Sequence, residues 1–212
     1  MKLRTKENLV DYLDEEIAWR KKELSTIKNR VEKSSNKLQP TEIRSGILLL
    51  YAHWEGFLKQ AAEAYLNYII YQKHSLKDLK LNFVALCTRK ELANFELTNK
   101  ATIHNQILEY ITNCDNEKFN VTPSNVVRTG SNLNSDILKE ITVGIGLDFY
   151  KYETKSKLID EQLLNYRNTI AHGQYLEVDE TGYLSLHEEI RKMIESFKTD
   201  IENSALMESY KK

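Results

Sequence analysis

The sequence predicts an all-α fold, a bundle of about six or seven helices in a single domain over residues 1–212, and three observations predict it. Gly and Pro together number 9 of 212 residues, about a third of ordinary usage, too few for a turn-rich β-sandwich or a glycine-looped nucleotide fold. Apolar residues recur at steps of three and four over stretches much longer than a strand. No repeat, low-complexity tract or linker divides the chain.

The elements follow in order. From Leu9 the apolar positions run Leu13, Ile17, Leu24, Ile27 and Val31, with Arg20 in the skipped place, which describes an amphipathic helix over about 5–34. The segment Ser34 to Pro40 breaks it, and Thr41 with Glu42 suits the start of a second helix running to about Tyr71. Ile47, Leu50, Tyr51, Trp54, Leu58, Ala61, Ala62, Tyr65 and Ile69 give that helix a wide apolar face, so it is buried on most sides. Ser75 to Asp78 resembles a capping box opening a short third helix, and Ala101 to Thr112 reads as a fourth. Residues 113–134 gather turn formers around Val121, Val126 and Val127, a long connection with an extended piece. Ser135 to Val143 is a short helix ended by Gly144 and Gly146, and a further helix over about 157–173 is stopped by Gly173. Beyond it, Tyr175–Val178 and Tyr183–Leu186 around Asp179–Gly182 suggest a tiny β-hairpin. A capping box at Ser185 to Glu188 competes for the same residues and would open a last helix over about 186–208.

Composition narrows the function. Lys and Arg number 30 against 31 Asp and Glu, so the molecule as a whole does not attract nucleic acid or an anionic membrane, and any such contact needs a local patch. Two stretches rich in Lys and Arg, 73–100 and 118–157, are candidates to hold a phosphate backbone, or are solvated faces. The two cysteines, Cys87 and Cys114, lie 27 residues apart in a chain with no secretory pattern at its start, which leads us to expect a cytoplasmic protein without a disulfide framework. The apolar stretch from Gly46 to Tyr71 contains His53, Glu55, Lys59 and Glu63, as a core helix does and a membrane span does not.

The five histidines form no HxxxH or HExxH pair, and the cysteines form no CxxC. Phosphate loops and nucleophile elbows are absent too, so no metal or cofactor is expected. What remains is Arg167-Asn168-Thr169-Ile170-Ala171-His172 followed by Gly173, at the end of a predicted helix. One reading is a helix C-terminus whose cations complement the dipole and whose glycine makes the left-handed cap.

The string RNxxAHG also occurs here with Tyr51-Ala52-His53-Trp54-Glu55-Gly56-Phe57 in the second helix and with Ser131-Asn132-Leu133-Asn134 upstream. In that combination the chain resembles the HEPN superfamily, and within it the RiboL-PSP-HEPN branch of bacterial ribonuclease-like proteins. The resemblance implies a helical bundle that forms a homodimer and cuts RNA without a metal where two Arg-x4–6-His motifs meet. It implies Arg167 and His172 as the catalytic pair with Asn168 in support. A toxin, stress or antiphage role is implied as well, with an antitoxin or other regulatory protein as a partner.

The residue types suit that chemistry. When the 2′-hydroxyl of RNA attacks its own phosphate, a base must take its proton, an acid must protonate the leaving 5′-oxygen, and a cation must stabilise the crowded phosphoryl oxygens. Histidine serves either proton transfer near neutral pH, and arginine offers a charged fork that matches phosphate. Five residues along an ideal helix turn through about 500°, leaving Arg167 and His172 about 140° apart, whereas Asn168 and His172 share a face. One motif also supplies one His for two proton transfers, and a two-fold axis beside this helix would supply the second. Glu55 is a candidate carboxylate behind Arg167 or His172, or else the partner of an arginine on the first helix. Two further readings stay open: a HEPN-like module that binds RNA, nucleotide or protein without cutting, and a helical scaffold in which RNTIAHG is only a cap.

Overall fold

The computed structural model describes residues 2–212. Helix α1 (Lys6–Lys33) opens on Thr5, whose hydroxyl accepts the Asn8 amide at 3.2 Å. Its buried positions are those of the expected stripe, Arg20 included, with 3% of that residue exposed. Arg20 is tolerated inside because its guanidinium bonds Glu16 and the Gln60 side chain and lies 4.3 Å from the Trp19 ring. A buried cation persists only when paired and hydrogen-bonded in this way.

Helix α2 (Gln39–Gln72) begins two residues before Thr41, with Pro40 in its first turn, where a missing N–H costs nothing. It packs along α1 and α9 (Glu180–Leu206), and these three long helices enclose Trp54, Phe57, Tyr65 and Phe197, all fully buried. At Gly46 the two helices approach so closely that a Cβ would lie 2.6 Å from the Tyr183 hydroxyl. Any side chain there must displace a buried aromatic ring.

The shorter elements pack around this frame. The expected third helix at Ser75 is a single 3₁₀ turn, Leu76–Asp78, because Leu79 leaves helical geometry to bury its side chain. Helix α3 (Leu81–Glu96) follows, and with α4 (Ala101–Asn113) makes a hairpin beside α6 (Ser135–Gly144). The long connection holds a four-residue α5 (Pro123–Val126), and α7 (Tyr150–Glu153) is equally short. A π-helical turn, Leu158–Leu164, runs into α8 (Asn165–Ala171). The described residues thus hold nine α-helices and no sheet, more than six or seven because the short turns count separately. Cys87 and Cys114 are free thiols, and no helix among the described residues is long and apolar enough to cross a membrane.

The hairpin after the motif does not form. Asp179 caps α9, its carboxylate accepting the Gly182 amide at 2.8 Å, so the residues read as a β-turn are the first turn of the last helix. Tyr183, Leu186, Ile190, Met193, Ile194, Phe197 and Ile201 form one buried stripe from that point, which leaves the box at Ser185 inside the helix. Leu176 and Val178 pack as an irregular strap on Ile43, Ile47, Ile170 and Tyr183.

Candidate functional site

The π-helical turn sets the direction in which the motif faces. Its wider i→i+5 ring lets Ile159, Leu163 and Leu164 all reach the core. Asp160 meanwhile turns toward α6, where its carboxylate accepts the Ser135 amide at 2.7 Å and the Ser135 hydroxyl at 2.5 Å. Such turns are rare and gather at functional sites.

Helix α8 then ends in a complete Schellman cap. The Gly173 amide donates to the Ile170 carbonyl and the Gln174 amide to Thr169, both at 3.0 Å, with Gly173 at φ +73°. These backbone bonds satisfy the terminal carbonyls without help from Arg167 or the His172 imidazole. His172, at the C-cap position, is exposed and its ring makes no hydrogen bond among the described residues.

Arg167 points the other way, as the helical spacing requires. Its guanidinium lies 4.1 Å from the Tyr51 ring and donates through Nη2 to the Ser131 carbonyl. Nε is buried without a partner, and Nη1 makes no hydrogen bond among the described residues. The Tyr51 hydroxyl accepts the Leu133 amide at 2.8 Å, and Asn168 makes a long contact of 3.5 Å to the Asn132 side chain. Gly130 and Ser131 at φ +61° and +56° turn the chain so that the Ser131 carbonyl meets the guanidinium. Burial pushes the Tyr51 phenol above its ordinary pKa, against the pull of the Leu133 amide and Arg167.

The three strings that carry the resemblance thus meet in space: Tyr51 from the second helix, Ser131 to Asn134 from the connection, and Arg167 with Asn168 from the motif. Tyr51 and Ser131 were legible only as members of those strings, since nothing in their spacing marks them as a clamp. Glu55, one turn beyond Tyr51, is half-buried and its charge is felt at the Tyr51 hydroxyl, yet it pairs with neither Arg167 nor Arg20 among the described residues. Nearby on this helix, His53 meets Glu23 of α1 at 2.7 Å, though out of hydrogen-bond alignment. No group of three or more His, Cys, Asp or Glu side chains converges among the described residues.

A family model described as RiboL-PSP-HEPN matches residues 15–203, a span that contains every residue of this site. No curated protein and no solved structure matches the chain.

Proposed function

The chain belongs to the RiboL-PSP-HEPN family, and on that premise we propose that it is a metal-independent endoribonuclease acting as a homodimer. The observation that carries the reading is the clamp on Arg167: a cation held between the Tyr51 ring and the Ser131 carbonyl, on a helix that presents His172 to solvent at its end. A fixed guanidinium with free donors suits a phosphate whose charge grows during reaction. Arg167 takes no part in capping its own helix, which removes the main support for the scaffold reading.

In the proposed step the RNA 2′-oxygen bonds to phosphorus as the bond from phosphorus to the 5′-oxygen breaks. His172 of one protomer accepts the 2′-hydroxyl proton, and the protonated His172 of the second gives its proton to the 5′-oxygen. Arg167 binds the non-bridging oxygens, and Asn168 holds the 131–134 segment against the motif. The products are a 2′,3′-cyclic phosphate and a 5′-hydroxyl. The proposal extends to a toxin, stress or antiphage role in the cytoplasm under the control of an antitoxin or other regulatory protein.

If the proton transfers fall to His172 and the charge to Arg167, cleavage of single-stranded RNA is expected to proceed at an undiminished rate in excess EDTA and to leave cyclic phosphate ends. Activity lost in chelator and restored by Mg²⁺ or Mn²⁺, or 3′-hydroxyl ends, would overturn the mechanism. Binding without cleavage in the same assay would favour the non-catalytic module.

A further inference from the structure

We propose that the cleft between α3 and the 120–128 connection is where the RNA strand leaving the motif lays its phosphates, held by Arg89, Lys90 and Arg128. The inference rests on RNA being the ligand and not on its being cut. Six of the arginines have visible occupations. Arg20, Arg30 and Arg191 pair with glutamates, Arg44 and Arg167 bond backbone carbonyls, and Arg4 lies 5.9 Å from the Tyr71 ring. Arg89 and Arg128 have no hydrogen bond, ion pair or ring partner among the described residues, and both are exposed.

These two unoccupied arginines come from elements far apart in sequence, yet they line one cleft of about 520 Å³ together with Lys90, and no carboxylate lines it. Three cations gathered in a cleft whose own wall holds no carboxylate repel one another, and the chain's net charge of −1 shows that the excess is local. An anion with several charges relieves that repulsion. Leu86 and Val126 add apolar wall, which suits the sugars and bases that accompany phosphates and not a bare inorganic ion.

The cleft is tied to the motif by the chain itself. Arg128 stands three residues before Ser131, whose carbonyl holds Arg167, so their Cα atoms lie within about 11 Å. On the far side of the same two arginines a neighbouring cleft of about 550 Å³ adds Asp136 and Glu140. Those carboxylates repel phosphate and confine the strand to the Lys90 side.

The test uses the full chain carrying His172→Ala, which cannot cleave in the proposed mechanism, and measures fluorescence anisotropy of a labelled single-stranded RNA 12-mer between 50 and 200 mM salt. Adding Arg89→Ala and Arg128→Ala removes two phosphate contacts, so the slope of log affinity against log salt should fall by about 1.4. The affinity lost across that salt range should accordingly be roughly sevenfold smaller than in the His172→Ala parent. Lys22→Ala with Lys33→Ala, an equal charge change on α1, should leave the slope as it was. AMP should compete only weakly, since a mononucleotide reaches few of the cations. An unchanged slope in the arginine variant, an equal fall in the lysine control, or competition by AMP as strong as by unlabelled 12-mer would overturn the proposal. If the arginine effect appears while the wild-type chain cuts no RNA, the cleft stands and the ribonuclease reading falls. If the wild type cuts RNA and the arginine variant binds as before, the reverse holds.

Discussion

His172→Ala is expected to abolish RNA cleavage while leaving thermal unfolding close to that of the wild type. In a symmetric dimer the substitution removes both the base and the acid. Each such group is ordinarily worth about 10² to 10⁴ in rate, so the combined loss should reach about 10⁴ or more. The fold has little to lose. The imidazole is exposed and unbonded, and the cap at this helix end is made by the Gly173 and Gln174 amides. Single-turnover cleavage and thermal denaturation on the same preparation check both halves. A variant that cuts at the wild-type rate would remove His172 from the mechanism, and a large fall in melting temperature would recast it as structural.

Arg167→Lys should slow the chemical step by about 10² to 10³, the usual cost of losing one preorganised donor, or about 2.7–4 kcal/mol. Lysine keeps the charge but has no plane to lie on the Tyr51 ring, and its donors share one nitrogen, so it cannot hold the Ser131 carbonyl with one nitrogen while offering another to phosphate. RNA affinity should weaken far less, because other cations still neutralise the strand. A purely capping arginine would accept the change with no loss of rate, since lysine serves a helix C-terminus about as well. Arg167→Ala is less informative. The half-buried guanidinium joins α8, α2 and the 131–134 segment, so its removal disturbs packing as well as chemistry.

The long helices were legible because their periodicity is their burial. The stripe from Leu9 to Val31 could be read with its buried Arg20, since a skipped apolar place inside an otherwise regular pattern must still face inward. The stretch from Asp179 to Leu186 was misread for a local reason. An Asp-Glu-Thr-Gly sequence serves a hairpin turn and a helix N-terminus equally well, and only the cap bond from Gly182 to Asp179 decides between them. The π-turn at Leu158 left no mark in composition, and its effect, turning Asp160 to Ser135, depends on a neighbour 25 residues away. At the site the motif residues were legible, while the clamp was not. Tyr51 acts through its ring face and Ser131 through a backbone carbonyl, neither of which spacing reports.

The central claim is that two protomers jointly supply the acid and the base, and mixing wild-type chains with His172→Ala chains tests it most directly. The two are unfolded together, refolded at a fixed total concentration, and assayed for RNA cleavage over a series of wild-type fractions. If each site needs an imidazole from both protomers, hybrids are inactive and the rate falls as the square of the wild-type fraction. A rate that falls in simple proportion to that fraction would mean that one protomer's His172 suffices, and would contradict the account.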